Sequence, residues 1–403
     1  MNILLATEVI VPGGAEAFVL RLSKAYQDRG HSVVVFGFYE DQGDSNIARI
    51  IAPGVEVVWA KYPFPALLQK IDGLLFRLKI DSSVRNYFVR RSLKKLIRRQ
   101  HTEVMHSHLL KVDAMCVQVG KELNVPVVTT IHGDYLQFYN KTKNNIPIPL
   151  LHYKRKAAKN LTALKKVVCI SDKQLAFFND IFSRETNTKL IKIYNGYQSA
   201  KPTGNGMATR QNLGIKDTDF VFGMVSRGIA EKGWQTAIDA FLRLAQDNTH
   251  LVLVGDGEHL TKLKNDYRDN NSIHFTGNSG SPLELINTFD VALLPSVYAS
   301  ESLPTVVIEY LFCGKPVIAS DAGEISNMLQ NEGRQAGIII PIKDGAVSSQ
   351  ELYAAMERYM SDTVLYHEHS SNAATCFEQF DMDKCIGSYM DVYKNAINAK
   401  ELS

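Results

Sequence analysis

No stretch of the sequence reaches the roughly 18 consecutive apolar residues that a membrane-crossing helix needs, so a helical membrane protein is not expected. Nor is a secretory leader expected, since Met1-Asn2-Ile3-Leu4-Leu5 reads directly as the beginning of a strand. Charge of one sign is scarce as well. Lys and Arg number 45 against 42 Asp and Glu, a formal net charge of +3, which gives no overall attraction for nucleic acid. The five cysteines, Cys116, Cys169, Cys313, Cys376 and Cys385, stand singly, with no Cys-x-x-Cys and no metal-ligand spacing. They read as reduced core residues of a cytosolic protein. There is no internal repeat with a period of roughly 20 to 50 residues and no low-complexity tail. What is left is a 403-residue chain, long enough to bury a sizeable core and expected to form two domains.

The most informative stretch is Asp290 to Gly323. Asp290 to Leu294 has the length and apolarity of a buried strand, Ser296 to Pro304 is polar and turn-forming, and Thr305 to Phe312 has helical character before the stop at Gly314-Lys315-Pro316. A second buried strand follows at Val317 to Ala319. In an open α/β sheet, ligands bind at loops leaving the carboxyl ends of strands. This loop carries Glu301, and Glu309 lies one turn into the helix. Thr305 and Glu309 share a helix face, and four residues rise about 6 Å, roughly the span of a diphosphate. The helix start offers N–H groups and partial positive charge to that diphosphate. Glu309 can then accept from ribose hydroxyls on one side of the phosphates and Glu301 from hydroxyls on the other, which describes a sugar nucleotide. The alternative is that both are solvated surface carboxylates.

The first half opens as β-α-β: Ile3 to Thr7 is a strand, a helix runs through Tyr26, and Val33 to Gly37 is a second strand. The turn between carries Gly13-Gly14-Ala15-Glu16 but not the G-x-G-x-x-G dinucleotide fingerprint. Adjacent glycines either bring backbone N–H groups close to a ligand or only make a tight turn. Lys61 to Arg99 is the most basic segment, with eleven Lys or Arg against Asp72 and Asp81. Val89, Leu93, Leu96 and Ile97 form its apolar helical stripe, and Arg91, Lys94, Lys95 and Arg98 the other face. That face is either merely solvated or touches anionic lipid, with Tyr62, Phe64, Leu67, Leu68, Leu74, Leu75 and Phe76 as wedging residues. Lys154-Arg155-Lys156 with Lys159, Lys165 and Lys166 can extend it. Glu103 to His108 and Val125 to Ile131 read as further parallel strands, which places His108 and His132 at the rim where ligands bind. His106-x-His108 has a metal-like spacing, but no carboxylate or cysteine cluster completes it.

In the second half Gln198 to Asn212 is rich in Gly, Pro, Ser, Thr and Asn, so a domain boundary belongs near there. Phe220 to Val225 is a strand, and the loop after it carries Arg227 and Lys232, two cations able to neutralise a pyrophosphate leaving group. Leu251 to Val254 with Gly255-Asp256-Gly257-Glu258 repeats that pattern, and Phe275-Thr276-Gly277 follows.

Glu301 and Glu309 with seven residues between them, Cys313-Gly314-Lys315-Pro316-Val317, Asp321-Ala322-Gly323-Glu324 and the Arg227…Glu231-Lys232-Gly233 pattern together resemble the retaining glycosyltransferases of family 4, of the bacterial polysaccharide and glycolipid type. The resemblance spans nearly the whole chain and is weakest over Lys61 to Arg99. It implies a GT-B fold, α/β, with two Rossmann-like doubly wound domains facing across a cleft and a C-terminal helix crossing back. The expected boundaries are 1–196 for the acceptor-side domain, 197–375 for the donor domain and 376–403 for the returning helix. It implies transfer of a sugar from a nucleotide-diphosphate sugar, UDP favoured and GDP next, to a glycan or lipid-linked acceptor, with no metal and no cofactor, the nucleotide sugar being a substrate. Glu301, His132, Arg227 and Lys232 are the expected catalytic residues. Gly13, Gly14, Arg227, Lys232, Gly277, Ser302, Leu303, Pro304, Thr305 and Glu309 are expected at the donor, with His108, Glu16 and Asp134 on the acceptor side. Ser302-Leu303-Pro304 departs from the Gly-Phe-Gly of many members; proline supplies no N–H, so Thr305 must compensate. A cytoplasmic protein, peripheral at the inner face of the membrane, is expected. The rival readings are a sugar-nucleotide epimerase or phosphorylase of the same fold, and a non-catalytic carbohydrate-binding scaffold.

Overall fold

The computed structural model describes residues 1–11, 13–78, 80, 83–108, 110–133, 160–181, 189–202, 206–244 and 246–401. Contacts divide the chain into two units, Met1–Gln198 with Met382–Ser403, and Ser199–Asp381.

The first unit is built on seven parallel strands: β1 (Asn2–Thr7), β2 (Ser32–Gly37), β3 (Glu56–Trp59), β4 (Val104–His108), β5 (Val127–Ile131), β6 (Lys166–Cys169) and β7 (Leu190–Lys192). Their order is β3-β2-β1-β4-β5-β6-β7, so the winding reverses between β1 and β4. The central strands are buried on both faces because helices cover both, which is why they read as nearly continuous apolar runs. On one face the helix Val84–Gln100 inserts Val89, Leu93, Leu96 and Ile97. The other face is covered by the helices Gly14–Asp28 and Met382–Glu401. The second of these contributes Met382, Cys385, Ile386, Tyr389, Val392, Tyr393 and Ala396, an apolar stripe at helical spacing.

The returning helix expected over 376–403 begins only at Met382, its first residues belonging to the helix before it. Thr363–Phe377 ends in a 3-10 turn, Glu378–Phe380, and an extended Asp381 before Met382–Glu401 begins. The break follows from a tether: the hairpin of β13 (Gln330–Asn331) and β14 (Arg334–Gln335) holds the first helix, with Asn331 Nδ2 donating to Thr375 O at 2.7 Å and Gln379 Nε2 to Gln330 O at 2.9 Å.

The second unit holds six parallel strands: β8 (Phe220–Val225), β9 (Thr249–Val254), β10 (Ile273–Gly277), β11 (Val291–Leu294), β12 (Val317–Ser320) and β15 (Gly337–Ile340). Their order, β10-β9-β8-β11-β12-β15, reverses between β8 and β11 in the same way. Four cysteines are buried and Cys313 half-buried, all as free thiols. No helix among the described residues is long and apolar enough to cross a membrane.

In the basic segment the helix Pro65–Arg77 leaves Leu67, Leu74 and Phe76 exposed, with Phe64 just before it and Leu78 just after. Leu68, expected among the wedging residues, instead points into the fold and is 8% exposed. Tyr62 and Leu75 are half-buried, and Tyr62 donates its hydroxyl to Asp41 Oδ1 at 2.6 Å. The Lys154 to Lys159 cluster lies outside the described residues.

Candidate active site

In the second unit the loops leaving β8 and β11 lie on either side of the reversal point; Gly233 lets the first approach the β11 loop, and Gly323, on the loop after β12, packs on that β11 loop as well. Gly233 has φ +83°, and a Cβ there would lie 2.2 Å from Pro295 O. Gly323 has φ +61°, and a Cβ there would lie 2.4 Å from Glu301 O. Only glycine fits both the backbone and the space. The contact brings Lys232 Nζ to 2.5 Å from Glu301 Oε2, with the residues 7% and 9% exposed. Ser296 Oγ donates to the same carboxylate oxygen at 2.9 Å. The Tyr298 ring stands beside both cations, its centroid 4.9 Å from Lys232 Nζ and 5.2 Å from Arg227 Cζ. Arg227 is exposed, and its loop is propped from below by Trp234 Nε1, which donates to Arg227 O at 2.9 Å.

Ser302, Leu303 and Pro304 are buried, and Ser302 O accepts from Glu324 N at 2.8 Å. Pro304 stands at the cap of the helix Thr305–Phe312, and no side chain caps that end. Thr305 and Glu309 are half-buried one turn apart on that helix. Gly277, with φ +76°, ends β10 at the sheet edge, two strands from β8. The structure thus pairs Lys232 with Glu301, sets Arg227 and Lys232 beside the Tyr298 ring, seats Ser302 to Glu309 on the same loop and helix, and places Gly277 at the sheet edge.

The rim of the first unit has a different character. Gly13 is extended, with φ −170°, and caps the helix Gly14–Asp28; both glycines are exposed. The Glu16 carboxylate folds back over the turn, so a Cβ on Gly13 would lie 2.4 Å from Glu16 Oε2. Burial raises the Glu16 pKa above its usual value. His108 ends β4 and His132 follows β5, the neighbouring strand. Their rings lie with His108 Nδ1 2.8 Å from His132 Nε2. Phe18 packs against both, with ring centroids 6.4 and 5.7 Å away. Burial lowers His132 to about 3 and His108 well below the usual imidazole range, so both rings are neutral at neutral pH. Asp134 lies outside the described residues.

His106, the other half of the metal-like spacing, is structural. Its Nδ1 lies 2.6 Å from the Tyr393 hydroxyl and its Nε2 2.8 Å from Thr130 Oγ1. Tyr26 OH donates to Tyr393 OH at 3.2 Å, and Thr130 Oγ1 lies 2.7 Å from Tyr389 OH. On the opposite sheet face Asp113 is buried, accepting from Ser107 Oγ and Thr129 Oγ1 at 2.6 Å each, and its pKa is raised to about 6 by burial. Among the described residues no group of three or more His, Cys, Asp or Glu is arranged to hold a metal. Sequence reasoning missed Ser296 and Tyr298; the only signal for them was their place in the loop three to five residues before Glu301.

Residues 12–200 match the family model Glycosyltransferase Family 4 and residues 207–375 the model Glycosyl transferases group 1. Over 317 residues the chain is 21% identical to the N-acetyl-alpha-D-glucosaminyl L-malate synthase of Bacillus anthracis, covering 76% of this chain and 78% of that protein. Over 188 residues it is 25% identical to the N,N'-diacetylbacillosaminyl-diphospho-undecaprenol alpha-1,3-N-acetylgalactosaminyltransferase of Campylobacter jejuni, covering 46% of this chain and 47% of that one. Among solved structures, HepE of Anabaena in complex with UDP and glucose aligns with a TM-score of 0.73 at 22% identity, over 97% of this chain and 98% of the other.

Proposed function

The chain belongs to the glycosyltransferases of family 4, with the GT-B fold, and from that premise we propose that it moves a sugar from a nucleotide-diphosphate donor to a glycan or lipid-linked acceptor with retention at the anomeric carbon. The observation that carries this reading is the buried Lys232–Glu301 pair beside Arg227, at the reversal point of the second sheet. Each partner of that pair keeps the other from being an uncompensated buried charge. A diphosphate that takes Lys232 leaves Glu301 in need of donors, and sugar hydroxyls supply them. The intact nucleotide sugar therefore satisfies both groups, whereas a bare nucleotide satisfies one. As the sugar–phosphate bond breaks, negative charge grows on the leaving diphosphate and is met by Arg227, Lys232 and the N–H groups at the start of the Thr305–Phe312 helix. Glu309 holds the ribose. With this much positive charge in the protein, transfer is expected without a metal and without any cofactor. On the first unit Gly13, Gly14 and His132 serve the reacting sugar and acceptor, with His108 and Glu16 beside them.

UDP is the favoured base carrier, in keeping with the UDP and glucose bound to HepE, and a lipid-linked acceptor with the diphospho-undecaprenol named for the Campylobacter relative. Such an acceptor belongs to cell-surface polysaccharide or glycolipid synthesis. The exposed Phe64, Leu67, Leu74, Phe76 and Leu78 stand on a segment that also exposes Lys70, Arg77, Arg91 and Lys95, a combination suited to the anionic inner face of a membrane. The deciding experiment is nucleotide release from UDP-, GDP- and ADP-sugars with EDTA present and Glu309→Ala as control. Slow hydrolysis of a UDP-sugar that survives EDTA and is lost in the variant is expected, with the product anomer read by NMR. No release, together with no calorimetric binding of any nucleotide diphosphate, would overturn the reading.

A further inference from the structure

His132 makes a single hydrogen bond among the described residues, from its Nε2 to Nδ1 of His108. One proton lies between two neutral imidazoles, so two arrangements exist. If His132 donates, its outer nitrogen, Nδ1, is a bare lone pair and His108 must carry its own proton on Nε2. If His108 donates, His132 carries a proton on Nδ1 and His108 keeps a bare Nε2. The remaining atoms, His108 Nε2 and His132 Nδ1, are both buried without a partner among the described residues. The residues differ, however, in how deeply they sit: His108 is 0% exposed, whereas His132 is half-buried at the end of its strand. An orphaned N–H is rarer and costlier in a protein core than an orphaned lone pair. The first arrangement strands an N–H on the fully enclosed ring; the second places it on the half-buried ring at the end of β5.

We infer that His108 is a positioning residue that holds His132 in its Nδ1–H tautomer, so that His132 meets its ligand as a hydrogen-bond donor. The atom facing it is an oxygen lone pair, from a sugar hydroxyl, a ring oxygen or a phosphate. A transfer in which His132 removes the acceptor's proton is thereby excluded, because the nitrogen that could take it already carries one and the other is occupied by His108. His106 cannot take over the positioning, since Tyr393 and Thr130 use both of its nitrogens. The identity of the ligand rests on the transferase reading; the tautomer does not.

The test uses the full chain with ring-15N histidine and a long-range proton–nitrogen correlation at neutral pH, His132 being identified by its loss in His132→Gln. The expected result is a pyrrole-type Nδ1 and a pyridine-type Nε2 on His132, the reverse of the free side chain's preference. A protonated Nε2, or two protonated nitrogens, overturns the inference. His108→Leu should return His132 to the Nε2–H form and lower kcat/KM roughly tenfold, about the worth of one misdirected hydrogen bond. His108→Asn, whose amide N–H stands near the lost Nδ1–H, should retain the Nδ1–H signature. If His132 keeps that signature in His108→Leu, its cause is not His108 and the inference fails. The expected tautomer in a protein that turns over no nucleotide sugar would uphold the inference and count only against the transferase reading.

Discussion

The two sheets share a strand order and a reversal point, yet the loops at those points carry opposite chemistry. Around β8 and β11 stand two basic side chains and a carboxylate, with Lys232 and Glu301 paired although buried. At the ends of β4 and β5 stand two imidazoles that burial keeps neutral, with an aromatic ring packed on both. Winding fixes where a site can be; the loops decide what it can hold. A charged rim suits a diphosphate that gains charge as it leaves, and a neutral, hydrogen-bonding rim suits hydroxyls that must be oriented without attracting a counter-ion.

The contrast is tested most severely at the ion pair. Lys232→Met should lower kcat/KM by about 10²- to 10³-fold and destabilise the protein by about 3 kcal/mol, since Glu301 is left buried and unpaired. Adding Glu301→Gln should return most of the stability in a urea titration without any activity, whereas an unaltered midpoint for the single variant would show that the pair is not buried as described. Arg227→Ala, at an exposed position, should leave the midpoint unmoved and cut turnover by about 10- to 100-fold while donor affinity changes less. Unchanged kinetics would remove Arg227 from the leaving-group site.

The unit with the imidazole rim should betray itself through pH. Asp113 has its folded pKa raised to about 6 from 3.8, so between those values the folded state holds a proton that the unfolded state has lost. Its contribution to stability is therefore most favourable below about pH 4 and falls as pH rises through about 6. Asp113→Asn should abolish that slope and gain up to about 2 to 3 kcal/mol above pH 6. Thermal unfolding from pH 4 to 8 decides it, and a parallel slope in the variant would show that the carboxyl is not the cause. Tyr393→Phe removes the hydroxyl beside His106 and should cost about 1 to 2 kcal/mol with no effect on nucleotide affinity, which calorimetry checks. Smallest in stability terms is Phe64→Ser with Leu74→Ser, within about 0.5 kcal/mol of the parent, while flotation with anionic vesicles should drop severalfold. Equal flotation of both proteins would leave the basic segment as a solvated face.

What the sequence disclosed was local. Phe220–Val225 and Val291–Leu294 are legible because strands buried on both faces must be apolar throughout, and the loops after them because glycine and proline mark where the backbone turns. The short β3, lying at a sheet edge and only partly buried, lacks that signature, and the β13–β14 hairpin is two residues a side. The break at Glu378–Asp381 depends on a tether to residues nearly fifty positions earlier, which no helical periodicity reports. The site was legible as residue types and not as partnerships. Lys232 and Glu301 were each expected near a diphosphate, but that they hold one another across 69 positions follows only from Gly233 letting the loops after β8 and β11 meet. His108 and His132 were placed at one rim, and their shared proton was not foreseeable from spacing.

The helix Met382–Glu401 follows the entire second unit in the chain and yet finishes the core of the first. A ribosome releases β1 to β7 long before it makes Tyr389 and Tyr393, whose hydroxyls stand against Thr130 and His106. Domains otherwise tend to fold in the order of synthesis. Here the first waits for the last, so a nascent chain stopped short at any point before Met382 has its neutral rim resting on an open sheet face. Translation must pass through the whole second unit and this helix before that half of the enzyme exists.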